Sequence, residues 1–329
     1  MPGTQLHPLA PQPSLSPAQQ AWRRFRDNRV ATVSAWFLAV LVVVVVSWPT
    51  VLKVVASLSP TGAEFAQRLQ PEYLSSEQFQ PPNVRHWFGT DVHGRDVFSR
   101  ALYGAQISLL VGIVGAGVSL IIGVVWGAIA GYAGGRTDRV MMRFVDILYS
   151  MPSIIFVIVL ITSLEGLLKY WLSSSIAPNV GPYIRILFLF VGLGAVSWLD
   201  MARIVRGQVM SLKRRPFVEA SRALGAGPVR ILARHIIPNT VGVVIVYLML
   251  TVPAIILYES FLSYLGLGIQ PPMASWGLLI AEGADQINPV RIYWWLILCP
   301  GGLLVTTLLA LNFVGDGLRD AWDVRSSTA

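Results

Sequence analysis

Cysteine is nearly missing from this chain: Cys299 is the single one in 329 residues, so neither an internal disulfide framework nor a cysteine metal site can be built from it. Lysine is almost as scarce. Lys53, Lys169 and Lys213 are the three, and none follows a glycine, which rules out a phosphate-binding loop of the Gly-Lys-Ser/Thr type and with it nucleotide hydrolysis by this polypeptide. The four histidines, His7, His86, His93 and His235, are scattered, and only His86 and His93 lie near one another, in a glycine-punctuated stretch where they read as solvated rather than metal-bound. No Ser, His and Asp arrangement suggests a nucleophile. Charge is thin overall, at 13% of residues, too little for a soluble globular chain of this length.

Apolar residues fill the gap, at 54% of the sequence. A bilayer crossing needs about 20 mainly apolar residues. Six such runs are present, from Ala31 to Leu52, Ile107 to Gly131, Ser153 to Leu168, Ile184 to Ile204, Val241 to Leu262 and Ile292 to Val314. The reading is therefore an all-α membrane protein with six transmembrane helices. An even number of crossings puts both termini on one side. If that side is the cytoplasm, 17 of the 25 Lys and Arg residues fall in inner segments and 8 in outer ones, the asymmetry that orients membrane proteins. The net charge of +8 is spread along these loops and forms no nucleic-acid-binding face.

Residues 1–20, rich in Pro, Gln and Ser, read as a disordered leader, and residues 21–55 as the first span with a basic flank that serves as an uncleaved anchor. A polar outer segment covers 56–104, a five-helix core 105–314 and a tail 315–329. In the second span Gly123, Gly127 and Gly131 recur every four residues, continued by Gly135, a stripe that lets another helix approach closely. Asp138 and Asp146 are set to meet nearby arginines, and Asp200 has Arg203 and Arg206 three and six residues on, spacings that read as an ion pair. Near the outer end of the fifth span, Tyr258 and Glu259 are candidate pathway residues able to meet a peptide amine, with Glu165 as a weaker counterpart. The run Tyr264 to Pro289 reads as a re-entrant or interfacial piece, and Gly315 to Arg325 as a charged helix end.

The most telling stretch is the inner loop 213–239. From Pro216, Phe217, Ala220, Ala223 and Leu224 share one face of a short helix, with Glu219, Ser221 and Arg222 elsewhere. Gly225 to Pro228 stop the helix and start another turn that carries Arg230 and Arg234. Two short helices joined by a glycine elbow at a membrane surface make a docking element for a protein partner or for anionic lipid.

This loop resembles the signature of bacterial ABC-importer permeases, Glu-Ala-Ala, three residues, Gly, nine residues, Ile, one residue, Leu-Pro. Glu219, Ala220, Gly225 and Pro238 match; Ser221 replaces the second Ala, His235 the Ile and Ile237 the Leu. The outer run from Trp87 to Leu109 resembles the Phe-Gly-Thr-Asp, two residues, Gly-Arg-Asp-Val pattern of the dipeptide, oligopeptide and nickel permeases, through Phe88 to Asp91 and Gly94 to Val97, with Gln106 where Arg is usual. The resemblance implies a type I ABC-importer permease of the C type in a bacterial inner membrane, with Phe217, Glu219, Ala220, Ser221, Arg222, Leu224, Gly225 and Arg230 coupling it to an ATPase. It also implies a homologous B-type permease, two ATPase subunits that bind ATP and Mg, and a periplasmic or lipid-anchored binding protein. Peptide is the cargo it points to, with nickel or another small solute as the alternative. An ion-driven secondary transporter or a non-transporting membrane anchor are the rivals from other classes.

Overall fold

The computed structural model describes residues 17–171 and 181–322. The leader before Pro17, the loop 172–180, the tail beyond Trp322 and the side chains of Glu165, Lys169 and Arg185 fall outside what is described. Helices account for nearly all of it: α1 Pro17–Asp27, α2 Arg29–Leu58, α3 Pro60–Arg68, α4 Val97–Ala133, α5 Gly135–Tyr149, α6 Ser153–Trp171, α7 Gly181–Leu212, α8 Pro216–Ala223, α9 Pro228–Ile231, α10 Ile237–Tyr264, α11 Trp276–Ala284 and α12 Trp295–Trp322. One π-helical turn, Leu232–Ile236, joins α9 to α10. No strand occurs among the described residues, only the isolated bridge Thr90 to Asp96.

Five helices are long and apolar enough to cross a membrane, and α5 with α6, bent by 89° at their junction, supplies a sixth crossing if the pair is counted as one. The apolar run at Ser153 is therefore one arm of a bent pair. Backbone groups have no water to turn to in hydrocarbon, so crossings of this kind must be helical.

Contacts sort the helix ends into two faces. Trp48 Nε1 donates to Ser99 Oγ at 3.1 Å, and Trp295 Nε1 to the Thr90 carbonyl at 3.2 Å, so the end of α2 and the starts of α4 and α12 share one face with α11. At the other face Lys213 Nζ donates to the Tyr132 carbonyl, the start of α10 meets Trp322 through Gly242, and Ala31 meets Gly317. The first and last described helices thus end on the same face as α8.

The most extensive seam joins α4 to α7. A Cβ on Gly123 would lie 2.5 Å from Met201 Cβ, one on Gly127 2.4 Å from the Ala202 carbonyl, and one on Gly131 2.8 Å from the Arg206 carbonyl. Gly135 does not continue the stripe: it lies past the end of α4 at φ +56° with open space around its Cβ position, because the chain has turned at Gly134. α5 is strapped across α7 by Asp138, whose carboxylate takes Arg206 Nε at 2.5 Å and Nη2 at 2.6 Å, and by Asp146, which takes Arg203 Nη2 at 2.7 Å. These pairs replace the expected partner of both arginines. Asp200 sits exposed on α7, because both arginines turn toward the acids that α5 presents and neither reaches back to it.

Gly127→Ala is expected to lower the chain's stability by about 1–3 kcal/mol, since its Cβ meets backbone that cannot give. Gly117→Ala, in the interior of α4 with nothing within 4 Å, should leave the melting temperature at or slightly above wild type, since alanine favours the helix. Heating monitored by size-exclusion chromatography in detergent reads both.

Candidate functional site

The elbow after α7 is built from local rules. Pro216 opens α8 at a position where the missing N–H costs nothing, and Arg215 before it is extended. The helix closes with a Schellman motif: Ala226 N–H donates to the Ser221 carbonyl at 3.1 Å and Gly225 N–H to the Arg222 carbonyl at 3.0 Å, with Gly225 at φ +83°. Pro228 restarts the chain as α9.

A single side chain of α8 faces the bundle. Val218 is completely buried, in a cluster with Ala128 of α4, Val205 and Val209 of α7, Ile231 of α9 and Ile236 of the π turn. Phe217 is 42% exposed, Leu224 88% and Val229 on α9 79%. Ala220, Glu219, Arg222, Gly225 and Arg230 are exposed as well, and Ser221 is half-buried. The face read from the sequence as apolar therefore points away from the chain's own core, and Val218, which the helical pattern did not single out, holds it in place. Val218 stands roughly 100–120° around α8 from Phe217 and Leu224, beside Ser221 and Arg222 and with no second apolar residue on its side, so no helical pattern marks it.

At the far face, the run from Trp87 to Leu109 folds into a charged cap. Asp91 accepts the backbone N–H groups of His93 (2.8 Å) and Arg95 (3.0 Å) on one oxygen, and Arg95 Nε (2.7 Å) and Arg100 Nη1 (2.8 Å) on the other. Arg100, 3% exposed, also reaches Glu282 on α11 at 2.5 and 3.2 Å, and so pins α11 to α4. Asp96 caps α4 through Ser99 N–H at 2.8 Å and takes His86 Nδ1 at 2.8 Å, while His86 Nε2 meets Glu77 at 3.0 Å. Gly89 and Gly94 take positive φ, +73° and +70°, where a Cβ would lie 2.4 Å from the Gln80 carbonyl and 2.3 Å from the Ser75 carbonyl.

Inside the bundle, among the described side chains, one carboxyl is fully buried. Glu259 on α10 is fully buried and accepts from Ser108 Oγ of α4 at 2.9 Å and from Ser263 Oγ at 2.7 Å. Ser263 in turn takes the Ile269 N–H at 2.9 Å, so the carboxyl braces the turn leading into α11. Its neighbours are hydroxyls of the chain's own core, not a surface open to cargo. Tyr258 lines a small apolar cleft with Val157, Leu193 and Leu262.

A family model described as "Binding-protein-dependent transport system inner membrane component" matches residues 123–327, and one described as "N-terminal TM domain of oligopeptide transport permease C" matches residues 16–82. The dipeptide transport system permease protein DppC of Bacillus subtilis is 42% identical over 311 residues, which cover 94% of this chain and 87% of that one. The oligopeptide transport system permease protein OppC of Escherichia coli K12 is 43% identical over 305 residues, covering 93% and 90%. This chain belongs to the family of binding-protein-dependent transport inner-membrane components. It is a multi-pass permease subunit of the ABC-importer class. A chain of the MetNI methionine ABC transporter, solved in inward facing conformations, shares the fold at a TM-score of 0.51 and 19% identity, over 68% of this chain and 96% of that one.

The family match spans α8, the elbow and α10; His86, Asp91, Arg95, Asp96 and Arg100 of the cap lie between the two matched ranges, and their partners Glu77 and Glu282 lie inside them. Two expectations change in the permease. His86 is 6% exposed and held between two carboxylates, whereas the sequence read it as solvated; a Gly-punctuated loop can fold back on itself when its turns are capped as Asn83, Asp91 and Asp96 cap this one. Gln106, in place of the usual Arg, donates to the Val45 carbonyl at 2.6 Å and ties α4 to α2. Among the described residues no group of His, Cys, Asp and Glu has metal-binding geometry.

The hydrogen bond that His86 makes to the Asp96 carboxylate raises its pKa above the ordinary 6.5; burial opposes this, and Glu77 adds to it. The folded cap holds the proton more tightly than the unfolded chain. Its contribution is thus complete below the unfolded value and lost as pH rises through the raised folded one. Limited proteolysis within 70–96 should be faster at alkaline than at mildly acidic pH, and His86→Gln should remove the difference. A wild-type rate that falls as pH rises would refute this reading of the cap.

Proposed function

We propose that this permease forms half of a peptide passage in a bacterial inner membrane and that the α8 elbow couples it to a separate ATPase. The observation that carries the coupling is the division of labour on α8: Val218 is spent on the chain's own core, while Phe217 and Leu224 stand out from it with nothing in the chain to cover them among the described residues. Apolar anchors ringed by Glu219, Arg222 and Arg230 are the anatomy of a protein interface, with an apolar centre and a polar rim that fixes register. Support for peptide cargo comes from the dipeptide and oligopeptide names of relatives aligned over nearly the whole chain.

The full assembly on this reading contains a homologous second permease, two ATPase subunits that bind ATP and Mg, and a binding protein that delivers cargo to the charged-cap face. The elbow face is cytoplasmic and both termini lie there, as the Lys and Arg distribution supports. ATP-driven closure of the ATPases draws the elbows together and shifts the helix bundles between inward-open and outward-open states. Tyr258 contributes to the passage wall, and Glu259 supports it from behind.

Leu224→Asp touches nothing in the fold and should leave insertion and melting temperature at wild-type values. Co-purification of the ATPase should fall on the order of thirtyfold, as loss of a ~2 kcal/mol interface anchor implies. Gly225→Asp should act in the same direction, and although its Cβ points into open space, a side chain at φ +83° also strains the turn that closes α8. Val218→Asp should instead destabilise the permease itself. Undiminished ATPase recovery with both exposed-site variants would overturn the coupling role.

A further inference from the structure

The stretch before the first span was read from the sequence as leader and basic flank, yet it folds as α1, a separate helix with a fixed seat. Ala21 and Phe25 are buried together with Ala31 of α2 and Ala321 of α12. The seat is close-fitting: a Cβ on Gly317 of α12 would come within 2.3 Å of Ala31 Cβ and 3.2 Å of the Phe25 ring. With Ala21 and Phe25 inward, helical geometry turns Trp22, Arg23 and Arg26 outward. Trp22 is 64% exposed and stacks on Phe25 at 5.9 Å, and Arg23, Arg26 and Arg29 are exposed.

Position fixes what this face meets. Asn28 alone separates α1 from α2, and its side chain caps α2 through the Ala31 N–H at 3.2 Å. α2 is a crossing of 30 residues whose Val30, Val33, Trp36 and Val40 are exposed, a stripe that hydrocarbon must cover. α1 therefore lies where that stripe leaves the hydrocarbon, at the level of the lipid headgroups. Residues 17–29 hold four arginines against Asp27, and the last turns of α12 add Asp316, Arg319 and Asp320, which leaves the region net positive.

We propose that α1 is a binding surface for anionic phospholipid, with Trp22 seated among the glycerol groups and Arg23, Arg26 and Arg29 on headgroup phosphates. An indole prefers the interface, where its ring is apolar-facing and its N–H is wet, and guanidinium pairs with phosphate through two parallel hydrogen bonds. The rigid seat on α12 holds these groups in a fixed array, so binding of lipid does not have to order a flexible arm. The surface is separate from the α8 elbow and stands whether or not the elbow docks an ATPase.

The test uses the full-length chain in nanodiscs of phosphatidylcholine, with and without phosphatidylglycerol. Hydrogen exchange within 17–29 should slow when phosphatidylglycerol is present, with exchange in 216–224 unchanged; equal exchange in 17–29 in both lipids overturns the proposal. Native mass spectrometry of the R23Q/R26Q/R29Q variant should show loss of retained phosphatidylglycerol, on the order of fivefold for each arginine removed. The R23K/R26K/R29K variant, which keeps the charge, should retain most of it. Retention equal to wild type in the glutamine variant overturns the proposal. So does protection of 17–29 that arises in phosphatidylcholine only on addition of the ATPase, since it assigns the face to a protein. The wild-type exchange comparison decides the matter if the glutamine variant fails to insert.

Discussion

The elbow stands on the contact between α4 and α7. Gly123, Gly127 and Gly131 remove every side chain that would hold the two helices apart, and the backbone carbonyls of Ala202 and Arg206 fill the space. Lipid offers no hydrophobic drive for helices to associate, so close backbone approach and van der Waals contact must supply it. Once α4 and α7 are joined along this seam, Ala128, Val205 and Val209 form a single apolar floor at one end of the bundle, and Val218 has somewhere to go. Without that floor, α8 would be an eight-residue helix with no reason to persist, because isolated helices of that length do not hold together in water.

The distribution of charge follows from the same solvent. Acids and bases collect at the two ends and meet there in short contacts, Asp138 with Arg206 beside the elbow and Asp91 and Glu282 with Arg95 and Arg100 at the cap. Each pair would be costly if separated, since a lone buried charge near hydrocarbon has little water to fall back on. The cap pair is therefore a strong constraint on α11, added to the indole N–H of Trp276 on the Ala101 carbonyl at 3.1 Å and to the close packing of Gly277 on Ser260 and Gly283 on Leu296. Glu259 shows the alternative arrangement: its partners among the described residues are serine hydroxyls, and it joins α4, α10 and the entry to α11 through neutral donors.

What could be read from the sequence were the features with a period or a fixed spacing. Apolar runs located the crossings because hydrocarbon thickness sets their length, and the every-fourth glycines of α4 located the seam because a helix repeats on that interval. The glycine and proline of the elbow placed its two stops correctly, for those residues act through their own backbone. What could not be read was who pairs with whom across the chain. Arg203 and Arg206 were assigned to Asp200 because it is near in sequence, but their partners are 57 and 68 residues away on α5. His86 looked solvated because the turns that bury it, and the Glu77 that meets it, only come together after folding. Val218 was passed over because a single apolar residue on a polar face carries no pattern; its importance lies in the floor beneath it.

α4 and α10 are the two helices that reach from one set of contacts to the other. α4 begins under Arg100 and Gly104 at the cap, passes the Ser108 to Glu259 bond, and ends on the elbow floor; α10 begins beside Ile236 on that floor and ends at Ser263. A displacement applied to α8 acts first on Val218 and the floor, and the glycine seam, packed against backbone at Gly127 and Gly131, has little slack to absorb it. Close-packed interiors shift as units and not by continuous deformation. The movement must therefore appear where packing is looser or hinged. Two places in the described chain fit: the 89° bend between α5 and α6, and the π turn at Leu232–Ile236, where the ladder of α10 is already offset from a regular helix. Of these the π turn is the more direct, because Ile231 and Ile236 share the cluster that holds Val218, so force on α8 reaches it without crossing the seam.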